Sequence, residues 1–141
     1  MRAVVLRTFG PPETLTLEDM PDPTPSEGEV LIRVHAVTVN QSLDVRVRHD
    51  GGEYGVALPL ILGVDPSGIV EAIGSGVEGF EVGDRVYLWR PITEAGGYAE
   101  LVAGSAQRAT HLPRSVSFAD GSFICRHFPM AYSMARVAEL T

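Results

Sequence analysis

Between Pro59 and Val86 the chain carries six glycines, at 63, 68, 74, 76, 79 and 83, around two short apolar runs, 69–73 and 85–88. Glycine enters positive-φ turns without steric penalty and lets two backbones approach closely. The pattern predicts two short strands joined by tight turns, with Gly83-Asp84 as the second turn. On these residues alone the stretch reads as part of a small β-barrel.

The flanking sequence supports a mainly β reading. Residues 2–7 predict a first strand rather than a signal peptide, since no long apolar core or cleavage pattern follows the charge. Residues 14–18 alternate and predict a second strand paired with it. Three prolines at 21, 23 and 25 make 20–28 an extended connector, because proline cannot donate within a ladder. Residues 29–39 predict the longest strand, with Val30, Ile32, Val34 and Ala36 on one face. Ser42 is a candidate N-cap for a short helix over 42–49, although the alternation of Val45 and Val47 with Arg46 and Arg48 also suits a strand. Asp50-Gly51-Gly52-Glu53 predicts a turn. A loop follows at 89–97, a strand opens at 96–102 and a short strand lies at 109–112.

From Ser117 onward the alternation disappears. Phe128, Ala131, Tyr132, Ala135 and Ala138 recur at helical spacing, with Pro129 suited to a first turn. This apolar stripe has no obvious core to join, which points to a missing partner.

A chain of 141 residues suits one domain that buries about two thirds of its unfolded surface. Eleven basic and 18 acidic residues give a net charge of −7, which argues against nucleic acid and anionic membranes as partners. No apolar run is long enough to span a membrane. The single cysteine, Cys125, excludes an internal disulfide. A cytoplasmic protein with a small-molecule substrate is expected.

The order Gly63-Val64-Asp65-Pro66-Ser67-Gly68-Ile69-Val70, then Gly74, Val77, Phe80 and Gly83-Asp84-Arg85-Val86, resembles the catalytic-domain signature of the medium-chain dehydrogenase/reductase superfamily. Within it the zinc-free quinone oxidoreductase branch is the nearest resemblance. It implies a GroES-like, partly open β-barrel with short helices and a C-terminal helical segment, within an α/β full-length enzyme. The barrel would occupy 1–116, and 117–141 would be a linker of two helical segments leading toward a nucleotide-binding domain. Gly74-Ser75-Gly76-Val77-Glu78-Gly79 has the letters of a dinucleotide turn but lies between barrel strands rather than before a helix. The expectation is therefore a fragment, with a stand-alone barrel as the alternative.

The resemblance implies hydride transfer from NADPH or NADH to a quinone or activated alkene, without zinc, while the unpartnered stripe of the tail leads to the expectation of a homo-oligomer. An enoyl-thioester reductase and a non-catalytic assembly module are the alternatives. Zinc-dependent members place a cysteine where this chain has Asn40-Gln41-Ser42, and a His-Glu pair where it has Val64-Asp65; valine cannot ligate. Asn40 is implied beside the nicotinamide, against the alternative of a turn asparagine. Relatives show Asn-x-x-Asp, whereas Asn40 and Asp44 stand one residue further apart: either the turn is longer or the aspartate alone keeps register. Asp44 and Arg48 stand at i and i+4, as an ion pair or as site residues. Tyr54 is a substrate contact or plain packing. Met130 stands where relatives carry a threonine near the nicotinamide, a hydrogen bond methionine cannot supply. Asp65 reads as a turn-holding residue, His127 as a helix-start residue rather than an acid/base group, Trp89 as packing and Cys125 as an inert core thiol.

Overall fold

The computed structural model describes residues 1–51, 53–94 and 96–138. Gly52 of the expected turn, Ala95 of the expected loop and the last three residues of the helical segment lie outside them.

Among the described residues, eight strands form two sheets. β1 (Arg2–Leu6) lies between β2 (Leu15–Asp19) and β4 (Leu60–Ile61). The second sheet has five strands in the order β7-β3-β5-β6-β8, formed by β3 (Glu29–Val37), β5 (Pro66–Ile73), β6 (Arg85–Leu88), β7 (Leu101–Ser105) and β8 (Ala109–His111). All pairings are antiparallel. The segment before β7 joins the sheets. Val4 N donates to Tyr98 O at 2.8 Å and Tyr98 N to Leu62 O at 2.8 Å, while Val34 N donates to Glu100 O at 2.9 Å. The result is the mainly β, barrel-like architecture with short helices and a C-terminal helix that the resemblance implies.

The interior falls into two apolar clusters. Leu6, Val47, Leu60, Leu62, Val64 and Ile92 fill one end. Val30, Ile32, Val70, Val86, Leu88 and Val102 fill the other. Two of the glycines permit close approaches next to this core. A Cβ on Gly68 would stand 1.9 Å from the Arg33 carbonyl oxygen of the neighbouring strand. Gly63 has φ +91°, and a Cβ there would meet the Tyr98 ring at 2.6 Å.

Several boundaries differ from the sequence expectations. β3 ends at Val37, two residues early, and β5 starts at Pro66, where it pairs with Val37. The link from β5 to β6 runs over 74–84 as successive turns, so Gly74–Gly79 passes from strand toward strand and not into a helix. The short helix is capped by Asn40 rather than Ser42. Asn40 Oδ1 accepts from the amides of Ser42 and Leu43, both at 3.1 Å, and from Ser42 Oγ at 2.8 Å. The first turn, Gln41–Val45, is of π type, with Val45 N donating to Asn40 O at 3.3 Å. α1 (Arg46–Asp50) continues from it and ends at Gly51 in the left-handed region, φ 82°.

The C-terminal segment forms one helix, α2 (Phe118–Val137), rather than two. Ser117 caps it through a 3.1 Å bond from Asp120 N. Pro129 lies deep inside this helix, not in its first turn. The ring removes one helical N–H at that point. Only Gly121, Ser122 and Cys125 are buried, so α2 is docked through its first half. The expected stripe on its second half stands in solvent: Phe128, Ala131, Tyr132 and Ala138 are exposed and Ala135 is half-buried.

Candidate functional site

β3 runs out of sheet partners at Val37, and the chain then passes 38–42 beneath the first half of α2. A cleft of about 670 Å³ opens there, lined by Thr38, Asn40, Gln41 and Ser42 on one side and by Phe123 and His127 on the other. The two rings of α2 stack at 4.3 Å with 8° between their planes and make a flat wall.

Asn40 is held from both ends. Backbone N–H groups only donate, so the two amides it caps identify the accepting atom as Oδ1. Its Nδ2 hydrogens have no protein partner among the described residues. Its backbone N–H donates to Asp44 Oδ2 at 2.8 Å. Asn40 and Asp44 both engage the π-type turn that separates them.

Asp44 is 2% exposed. Besides Asn40 N, its carboxylate accepts from Gly63 N at 3.1 Å and from Tyr98 Oη at 3.1 Å. Burial raises its pKa, and these three hydrogen bonds oppose the rise. Burial first, then the Asp44 charge, pushes the Tyr98 phenol upward, so the phenol keeps its proton and donates it. Asp44 joins the Asn40 turn to the start of the glycine-rich segment.

The expected i,i+4 pair does not form. Asp44 bonds the groups just named, whereas the Arg48 guanidinium donates to the Gly10 carbonyl and Gly10 N donates to Arg48 O at 2.9 Å. Arg48 ties α1 to the turn between β1 and β2. Tyr54 is half-buried against the Leu6–Val64 cluster, and its hydroxyl lies 3.4 Å from Ser42 O.

Met130 stands apart from Asn40. It is 57% exposed and lines a separate cleft of about 420 Å³ with Trp89, Arg108, Cys125 and Arg126. Asp65, fully buried, is bonded by Arg126 Nε at 3.0 and 3.2 Å, and Thr38 Oγ1 lies 3.4 Å away. Its role is larger than the turn-holding one expected, because this pair pins α2 to the barrel. Cys125 is 4% exposed, and burial pushes its thiol up to about 12. Among the described residues no group of three or more His, Cys, Asp or Glu could hold a metal ion. No helix is long and apolar enough to cross a membrane.

The sequence reading misplaced His127 and passed over Tyr98 and Arg126. His127 sits mid-helix rather than at a helix start, and its i,i+4 spacing from Phe123 was the available signal. Tyr98 follows the Gly96-Gly97 pair. Arg126 had no local signal, since its partner is 61 residues away.

Comparison with known proteins agrees with this architecture. The alcohol dehydrogenase GroES-like domain model matches residues 26–114. Quinone oxidoreductase of Rattus norvegicus is 38% identical over 123 residues, which cover 86% of this chain and 36% of that protein. The crystal structure of human synaptic vesicle membrane protein VAT-1 homolog-like protein superposes with a TM-score of 0.88 at 36% identity, over 95% of this chain and 42% of that one. A mycobacterial structure complexed with NADPH gives a TM-score of 0.84 at 29% identity, over 96% and 40% of the two chains. The chain spans about a third of the length of the curated relatives it matches.

Proposed function

This chain belongs to the medium-chain dehydrogenase/reductase superfamily, in its quinone oxidoreductase branch, and from that premise we propose that it supplies the substrate-side barrel of an NAD(P)H-dependent, zinc-free reductase of quinones or activated alkenes. The observation that carries this reading is the locked amide of Asn40. Its oxygen is consumed by the α1 cap, so its Nδ2 hydrogens are what it offers to a ligand in the cleft.

A planar ring bearing a polar substituent suits this cleft. Phe123 and His127 offer a flat wall, and Asn40 offers donors beside it. These residues fit the nicotinamide end of a dinucleotide. The pyrophosphate end finds no cradle here, because the Gly74–Gly79 turn does not open a helix. A nucleotide-binding domain elsewhere in the protein would hold it. When bound, the reduced nicotinamide supplies the hydride. The chain's own residues orient and enclose: Asp44 and Tyr98 fix the Asn40 backbone, and the ring wall excludes water from one side.

The zinc-free part of the proposal is supported by donor chemistry. Where zinc-dependent relatives carry ligands, this chain has the carboxamide of Asn40 and the fully buried Val64, a member of the apolar core.

The test is a steady-state assay of the natural gene product with NADPH and duroquinone, followed by NADPH absorbance, with and without a zinc chelator. Quinone-dependent oxidation unchanged by the chelator is expected. No oxidation with duroquinone or an enone would overturn the proposal, and chelator loss restored by zinc would overturn its zinc-free part.

A further inference from the structure

We infer that His127 delivers the proton to the substrate oxygen in the Asn40 cleft, through Nε2, with its Nδ1 held by the Phe123 carbonyl. The inference rests on the reductase reading above and adds a named proton donor to it.

His127 Nδ1 lies 2.8 Å from Phe123 O. A carbonyl oxygen only accepts, so Nδ1 carries a hydrogen in both the neutral and the charged ring. The neutral tautomer is thereby set, with the lone pair on Nε2. Stacking on Phe123 fixes the ring plane. Nε2 has no protein partner among the described residues. The nitrogen that can gain and lose a proton is therefore the free one.

Elimination points to the same group. Reduction of a quinone to a hydroquinone takes one hydride and one proton. Among the residues lining the cleft, His127 alone carries an ionisable side chain. The Ser42 hydroxyl has given its hydrogen to Asn40 Oδ1. Asp44 is sealed in the interior, and Tyr98 donates to it. The Tyr54 hydroxyl is turned to Ser42 O.

The step balances as follows. The quinone takes up a hydride supplied by a bound reduced nicotinamide, which leaves in its oxidised form. The oxyanion so formed takes the Nε2 proton of the His127 imidazolium, breaking N–H and forming O–H. Hydroquinone and neutral His127 result, and solvent returns a proton to Nε2 while Nδ1–H stays on Phe123 O. Asn40 Nδ2 is placed to donate to the same ligand, so one residue orients the oxygen and the other protonates it.

Two measurements on the natural gene product test this. Isotope-edited NMR of the histidine ring nitrogens is expected to show neutral His127 protonated at Nδ1; a neutral ring protonated at Nε2 overturns the inference. His127→Ala is expected to lower kcat for duroquinone reduction by about 100-fold or more. Added imidazole should restore part of that rate, whereas His127→Gln, which can donate a hydrogen bond but not transfer a proton, should stay slow. Loss of rate without imidazole rescue makes His127 a structural residue and overturns the inference. A His127→Ala variant as fast as wild type overturns it and leaves the reductase reading standing. A wild-type protein that reduces no quinone overturns both.

Discussion

The phenol of Tyr98 donates to the carboxylate of Asp44 at 3.1 Å, across 54 residues of sequence, and Asp44 in turn holds the backbone of Asn40. The position of Asn40 therefore depends on a residue that lies between the two sheets. The cleft lining at Asn40 and the contact between the sheets share one hydrogen-bond chain.

That chain makes stability sensitive to alkaline pH. Burial raises both the Tyr98 phenol, ordinarily at 10.0, and the Cys125 thiol, from 9.0 to about 12. Above the ordinary values the folded protein keeps protons that the unfolded chain releases. The folded state then binds more protons than the unfolded one, and stability falls as pH rises. Urea denaturation is expected to show a decline beginning near pH 9. Cys125→Ala should remove its earlier part and Tyr98→Phe its later part; identical declines in all three proteins would contradict the assignment.

Asn40→Asp separates the capping of the turn from the ligand contact proposed for the same side chain. The substitution keeps the capping oxygen and deletes the Nδ2 hydrogens. Stability should change by less than about 1 kcal/mol, while kcat/KM for NADPH-driven quinone reduction should fall more than about tenfold. Asn40→Ala should lose the activity and also about 1 kcal/mol of stability. Full activity in Asn40→Asp would remove the ligand-facing role.

The Asp65–Arg126 pair should behave as a buried bridge. Arg126 is 19% exposed and Asp65 is fully enclosed. Arg126→Met leaves a carboxylate without its cation, at a cost of about 3–5 kcal/mol. Adding Asp65→Asn should recover most of that loss, because the uncompensated charge is gone. A single-variant cost below about 1 kcal/mol in urea melts would mean that the pair does not hold α2.

Pro129→Ala should strengthen the outer half of α2. Restoring an N–H and relieving the ring clash in a helix interior is worth up to about 3 kcal/mol. Amide exchange from Arg126 to Val137 should slow, with no change in the β-strands. Unchanged exchange would show that this half of the helix does not feel the proline.

Much of the fold was legible because it rests on local rules. Alternation marked the β1–β2 hairpin, glycines marked the turns around β5, and the loss of alternation from Ser117 onward marked the helical segment. The helix cap was misassigned because Asn40 and Ser42 are both good caps. The choice was made by Asp44, which anchors the Asn40 amide while reaching Gly63. Pro129 was misplaced because proline favours first turns, but the docked face of α2 carries the helix past it. The Phe123–His127 wall was invisible for a different reason. The helix that carries it is held to the barrel by long-range contacts such as Arg126 on Asp65 and Ser67 on the Phe118 carbonyl, which no local pattern reveals.

The π-type turn at Gln41–Val45 has a consequence for how relatives of this chain are recognised. Distance along the sequence and distance in space are uncoupled there by one residue. A search pattern with a fixed gap between asparagine and aspartate passes over this chain, although both side chains stay on the same turn. Deleting Gln41 would shorten the gap to the ordinary one and convert the wide first turn into an α turn. The loop would thus accept either length while keeping the same two anchors, so the length of this segment is a poor guide to whether the cleft is intact.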